Sequence, residues 1–394
     1  MNFLRRRRSS DDDDGDEAFT ESNIHKSRKP PNTAFRQQRL KAWQPILTPK
    51  SVIPVLIVLA VIFAPLGIAI IYTTYNVEML SIDYSHCESL ATKDFQDVPT
   101  KYIQYHFQRK NDNPMYQWRL INETSDDVLK QTCQVHFTLP VEIEPPIYLY
   151  YRLTNFFQNH RKYVDSFDLK QLKGEAVDAD SVTDKCKPLK ELDGKLIYPC
   201  GLIANSVFND TFSNPTLLNP QNGEINQTYV FSDSDISWSS DRNSRFKKTN
   251  YKPDEVVPPP NWAAMYPNGY TEENMPDLSQ MQHLQNWMRT SGLPSFYKLY
   301  GKNTTTAISS GTYEVDIVLN YPVSIFGGSK SMVITTNSIF GARNISLGLI
   351  YIVVAIVCLL SGIAFLLQHL IKPRRIGDHN YLQNRIGPTI RDQL

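Results

Sequence analysis

The chain has 394 residues, 41 of them Lys or Arg and 40 Asp or Glu, for a formal net charge of +1. That total hides a partition: residues 1–50 carry +4 and residues 372–394 carry +3, leaving about −6 for the stretch between two uncharged apolar segments. Nucleic acid is not implied, because the basic runs lie beside apolar spans, where they act as topology determinants, and no DNA- or RNA-binding motif accompanies them.

In chain order, residues 1–24 have the composition of a disordered tail: Arg5 to Arg8, then Ser9 and Ser10, then Asp11 to Asp14 with Asp16 and Glu17. A solvated tail accounts for this run. Ser9 and Ser10 also match an acidophilic kinase site, and the Arg run matches a di-arginine-type retrieval address. From His25 to Lys50 there are seven Lys or Arg and no acid, directly before the apolar stretch Val52 to Tyr72. A second stretch, Leu347 to Leu370, is followed by Lys372, Arg374 and Arg375. Each is long enough to cross a hydrocarbon core of ~30 Å as a helix. The positive-inside rule puts both ends in the cytosol and the middle in the lumen or outside. The first stretch lies behind a tail of about fifty residues and exceeds the ~7–15 residue apolar core of a cleaved signal, so it reads as an uncleaved anchor. The expected organisation is a cytosolic tail 1–50, span 51–73, ectodomain 74–346, span 347–371 and cytosolic tail 372–394.

The ectodomain holds the sequons Asn122, Asn209, Asn226 and Asn303, expected to carry N-glycans; a fifth, Asn344, lies too close to the second span for the glycosylation machinery. Neither tail has one. Four of the five cysteines, Cys87, Cys133, Cys186 and Cys200, also fall in the middle, and an even lumenal set implies disulfides. Three connectivities are open, of which nearest-neighbour pairing is the simplest, and each closure would contribute on the order of 2–4 kcal/mol. Cys358, inside the second span, reads as a small packing residue.

The middle reads as β. Cys133, Val135, Phe137 and Leu139 alternate with polar residues, as do Tyr313, Val315, Ile317, Leu319 and Tyr321 apart from Val318. Shorter candidates are Tyr102 to Phe107, Ile147 to Leu153, Leu196 to Leu202 and Ser331 to Thr336. One helix is expected from Leu278 to Met288, with Asp277 and Gln280 as a capping box and Gly292 and Pro294 as stops. The economical architecture is two transmembrane helices and a mainly antiparallel, sandwich-like, disulfide-bonded and glycosylated ectodomain with short helices.

Enzyme signatures are missing: there is no GxxxxGK[ST], GxSxG, HExxH or GxGxxG, and no Asp-Lys-Thr-Gly. His160 has no metal-spaced partner and reads as a hydrogen-bonding loop residue. No catalytic, cofactor or metal site is expected. The spans carry no Asp, Glu, Lys, Arg or His before His369, so they hold no evident ion or proton relay. Gly67, Cys358, Ser361 and Gly362 are small enough for close approach to a larger partner, and Pro54 and Pro65 are expected to kink the first span.

Six motifs then converge on one family: Asn32 to Leu40, Asn155 to Tyr163, Pro199 to Asp210, Trp287 to Thr290, Asn320 to Val323 and Gly377 to His379. From about Arg28 to Leu382 the chain resembles the ligand-effect modulator family, also called the cell division control protein fifty family. These are the non-catalytic β-subunits of type IV P-type ATPases, the phospholipid flippases. The resemblance implies a one-to-one heterodimer with the ATPase α-subunit, no cofactor, and bonds Cys87–Cys133 and Cys186–Cys200. It implies a role in the partner's exit from the endoplasmic reticulum and in its transport cycle, with residence in the Golgi, endosome or plasma membrane. It also implies that membrane lipids surround the spans and that the tail around Phe35 and Arg39 touches the partner's cytosolic side. Two other classes fit the topology, a two-span ligand-gated channel subunit and a membrane-anchored lumenal enzyme. The first lacks a polar pore-lining stripe and the second a nucleophile or metal motif.

Overall fold

The computed structural model describes residues 32–40, 47–109, 114–125, 128–218, 226–338, 341 and 343–373. The Ser9/Ser10 and Arg5 to Arg8 runs and the Gly377 to His379 motif lie outside them. In chain order the framing elements are helix α1 (Pro49–Tyr75), strands β1 (Met79–Asp83), β2 (Ile103–His106), β3 (Tyr116–Ser125), β4 (Val128–Leu139) and β5 (Ile147–Leu153), short helices α2 (Leu202–Asn205) and α3 (Gln282–Trp287), strands β6 (Phe296–Asn303), β7 (Gly311–Val318) and β8 (Lys330–Thr336), and helix α4 (Ile345–Ile371).

Alternation decides the faces. Along β5 every second residue from Ile147 to Leu153 is buried, and on β4 and β7 the antiparallel register sets Val315 opposite Val135, Tyr313 opposite Phe137 and Ile317 opposite Cys133. One sheet runs β6–β5–β8–β1–β2; the other is built on β7–β4–β3 and extended by short strands at both edges. The buried faces of both feed a single apolar core. This is the antiparallel, disulfide-bonded architecture expected from the sequence. The disulfide Cys87–Cys133, with Cα atoms 6.1 Å apart, ties the segment after β1 to the middle of β4 and so fastens one sheet to the other.

Two expectations fail locally. The helix predicted for Leu278 to Met288 shortens to Gln282–Trp287. Asp277 does not cap it: its Oδ1 accepts the Ser279 N–H and hydroxyl in a turn of its own, while the buried Gln285 amide donates back to the carbonyls of Leu278 and Ser279. The predicted strand Leu196 to Leu202 stops at Ile197: Pro199 has no N–H with which to continue a ladder, and the chain turns into α2.

α1 and α4 are long and apolar enough to cross a membrane, and α1 remains helical through Pro54 and Pro65. Their mutual seam repeats every seven residues: Ile53, Ala60, Gly67 and Thr74 are buried on α1, and Gly348, Ala355 and Gly362 on α4. Such a repeat suits a left-handed pair. A Cβ on Gly67 would sit 2.8 Å from Ile352 Cγ1, and one on Gly348 2.6 Å from Ile71 Cγ1. A Cβ on Gly362 would meet nothing closer than 3.6 Å. Gly67 and Gly362, expected to admit a larger partner, therefore serve contact within the chain. Cys358, a free thiol, and Ser361 sit half-buried beside the seam.

Candidate partner interface

The long motif Pro199 to Asp210 is mostly interior. Cys200 is bonded to Cys186, with Cα atoms 5.6 Å apart, and its N–H donates to the Gln171 side-chain oxygen at 3.0 Å. Gly201 has φ +99°, and a Cβ there would fall on the Ser166 carbonyl oxygen, so only glycine fits. α2 follows. The carbonyls of Ile203 and Ala204 accept the indole N–H groups of Trp287 and Trp262, each at 2.9 Å. Phe208 then stacks on Tyr151 at 3.9 Å between centroids.

The run ends on a buried polar hub. One oxygen of Asp210 accepts the N–H groups of Asn320 and Tyr321, both at 2.6 Å; the other accepts the Tyr84 hydroxyl at 2.9 Å and the Lys330 ammonium at 2.7 Å. Lys330 also donates to the Tyr321 carbonyl, at 2.8 Å. The two charged side chains are 0% and 6% exposed, so every polar atom here needs its partner. Burial, and then the Asp210 charge, hold the Tyr84 phenol well above its ordinary range. This hub joins the end of β1, the start of β8 and two motifs. Lys330 and Tyr84 were not singled out from the sequence; a lysine opening an otherwise apolar and hydroxyl-bearing strand was the available signal.

The remaining motifs gather around the same core. Phe156 lies against the rings of Tyr163, Trp287, Phe296 and Phe326. Arg289 pairs with Asp241 at 2.6 Å and lies over the exposed Trp238. His160 is exposed, and its carbonyl accepts the N–H groups of Tyr163 and Val164. The buried Lys298 donates to the carbonyls of Asn286 and Arg289, and burial pushes its amine down to about 8.

Three loops leave this core at one end of the sheet, after β5, before β6 and before β8. The Asn155 amide donates to the Phe326 carbonyl, Asn159 donates to the Gly292 carbonyl at 3.0 Å, and Gln158 accepts the Ser291 N–H at 2.9 Å. So braced, they display Phe157, Leu293 and Ile325, the last 81% exposed. Because Met79 pairs with Thr335 at the opposite end of β8, this apolar trio lies at the end of the sheet remote from the helices. The interior residues of these segments hold the loop tips in place.

The sequons differ in setting. Asn122 and Asn226 are exposed. Asn209 lines a cleft of about 420 Å³ with Asp233, His283 and Tyr300, and its buried side-chain oxygen has no hydrogen-bond partner. Burial lowers the His283 pKa, against the pull of Asp233. The Asn303 amide donates to the Val230 carbonyl and to the Thr306 hydroxyl, and Asn344 caps α4 by accepting the Leu347 N–H. In the tail, Asn32 to Leu40 closes into turns through Gln37 N–H to Thr33 carbonyl and Arg39 N–H to Ala34 carbonyl, and Arg39 also reaches the Asn32 side chain. Phe35 projects from it, 75% exposed. No group of three or more His, Cys, Asp or Glu is placed to hold a metal among the described residues.

Residues 70–375 match the profile of the LEM3 (ligand-effect modulator 3) / CDC50 family. The chain is 48% identical over 375 residues to the phospholipid-transporting ATPase accessory subunit CRF1 of Saccharomyces cerevisiae, covering 95% of this chain and 93% of that one. It is 42% identical to the accessory subunit CDC50 of Chaetomium thermophilum, over 96% of each chain. Mouse cell cycle control protein 50A is 32% identical, over 89% of this chain and 92% of its own. With a match across most of its length and the motif core intact, this chain belongs to the LEM3/CDC50 family.

Proposed function

We propose that this membrane protein is the non-catalytic accessory subunit of a phospholipid-transporting type IV P-type ATPase, bound one-to-one, with its ectodomain exoplasmic and both tails cytosolic. The observation that carries the reading is end-to-end similarity to proteins named as such subunits, 95% of this chain against CRF1. The architecture supports it. Two apolar helices seamed to each other offer outward faces to a larger membrane protein, and a braced apolar loop cluster and an exposed Phe35 turn offer contacts on either side. The catalytic phosphorylation sequence is left to the partner. The subunit acts through binding free energy, favouring the partner's assembled and transport-competent states to the extent that its affinity for them differs. Export of the partner from the endoplasmic reticulum and N-glycans at Asn122, Asn209, Asn226 and Asn303 belong to the same proposal.

Affinity purification of the full chain in mild detergent tests it. A large ATPase co-purifying in equimolar amount is expected, and a homotrimer of this chain alone would overturn the reading in favour of a channel. For the tail, Phe35→Ala with Arg39→Ala should leave disulfides and glycans intact while weakening the pulldown or slowing ATPase turnover. Unchanged capture and turnover would remove the tail from the interface.

A further inference from the structure

The seven-residue seam of α4 runs Gly348, Ala355, Gly362, and its next position is His369. Where three small residues bring the helices together, the fourth is an imidazole, and the pair has already loosened at Gly362. A cavity of about 250 Å³ opens there, between the start of α1 and the end of α4. Its lining combines apolar side chains, Leu47, Val52, Ile53 and Phe365, with polar ones, Thr48, Gln368, His369 and Lys372. His369 Nδ1 is buried and has no hydrogen-bond partner. A buried polar atom left unpaired in a helix end of this kind points to a missing ligand.

The lining dictates what the ligand is. All four polar side chains, Thr48, Gln368, His369 and Lys372, can donate hydrogen bonds, one carries a fixed positive charge, and no carboxylate lines the cavity among the described residues, so the group received is an anion. The apolar wall receives a hydrocarbon chain. The cavity lies where an apolar span gives way to basic flanking residues, Lys50 on one helix and Lys372 after the other, which is the depth of lipid headgroups. We propose that this cavity binds one anionic phospholipid from the adjoining leaflet, its phosphate held by His369, Gln368 and Lys372 and one acyl chain laid along Val52, Ile53 and Phe365. With a fixed cation at Lys372 and no acid among the described lining residues to receive a quaternary ammonium, the site selects phosphatidylserine or phosphatidic acid over phosphatidylcholine. The inference goes beyond the accessory role and does not depend on which partner is bound.

Native mass spectrometry of the delipidated full-length chain, mixed in turn with phosphatidylserine, phosphatidic acid and phosphatidylcholine, tests it. The expected result is one anionic lipid retained at least tenfold more strongly than phosphatidylcholine, with that preference lost in His369→Leu combined with Lys372→Ala. Val52→Trp should exclude the lipid by filling the cavity while leaving every polar group in place. Non-reducing peptide mapping of both disulfides confirms that each variant has folded. Equal lipid retention by wild type and both variants would overturn the proposal. So would displacement by millimolar inorganic phosphate, which would make this a free-anion site, or absence of the lipid from the purified ATPase complex, which would give the cavity to the partner.

Discussion

The Asp210 hub and the α1–α4 seam hold the molecule by opposite means. Around Asp210 the chain is irregular, and four donors from distant segments meet one carboxylate out of water. Between the helices no polar bond is found among the described residues, and backbones approach because Gly67 and Gly348 have no side chains. A helix satisfies its own backbone, so in a bilayer only shape is left to choose its neighbour. An irregular loop in a protein interior has unsatisfied backbone groups and must find partners.

Removing the hub's acceptor should have the largest effect. Asp210→Ala strands a buried ammonium, a phenol and two N–H groups and should cost about 3–5 kcal/mol, read as a lower denaturation midpoint of the purified chain. Asp210→Leu with Lys330→Met should recover part of that loss. A midpoint equal to wild type in Asp210→Ala would show that the hub adds no stability and the contrast with the seam fails.

The same polar economy predicts a pH dependence. Lys298 sits at about 8 in the folded chain and near 10.5 when unfolded, so below pH 8 the folded state bears the whole cost of a buried charge, and above 10.5 it bears none. Stability should therefore rise by about 2 kcal/mol from pH 8 to pH 10. The window stops at 10 because the buried tyrosines, held above their ordinary 10, act in the opposite sense beyond it. Lys298→Met should flatten the rise, and an unchanged slope in that variant would assign it to other groups.

In the seam, shape alone should discriminate. Gly348→Ala, pressed into Ile71, should weaken the helix pair by about 1–2 kcal/mol, whereas Gly362→Ala should be nearly neutral. Cysteine cross-linking efficiency between the helices would report both, and equal effects would deny that the pair tightens toward Gly348. Smallest of all, Phe157→Ser with Leu293→Ser should alter stability by no more than about 0.5 kcal/mol, since both side chains face solvent, yet lower capture of the ATPase. Undiminished capture would move the interface elsewhere.

What could be read beforehand follows the same division. Spans and alternating strands are periodic, so Val52 to Tyr72 and Cys133 to Leu139 announce themselves. The hub is not periodic: nothing near Asp210 in the chain points to Lys330, and only folding makes them neighbours. The helix from Leu278 lost its first turn because the Asp277 and Gln285 side chains bond backbone groups that a helix would have used. Gly67 and Gly362 were recognisable as contact residues, but a single helix does not say which neighbour it contacts. The seven-residue repeat common to both spans was the signal for that.

The junction between α1 and the β domain has a mechanical consequence. Three residues separate the helix from β1, and the link is held at both ends: His106 bonds the carbonyl of Tyr75, the last helical residue, at 2.9 Å, and the Glu78 carbonyl accepts the Thr336 N–H and the Thr335 hydroxyl, each at 3.0 Å. There is no slack in this joint. Tilt or piston motion of α1 would load the β1–β8 ladder in shear, along five paired residues from Met79↔Thr335 to Asp83↔Ser331, and pass directly to Lys330 at the strand's far end. The β domain is thus tied to α1 through paired backbone rather than through a free linker.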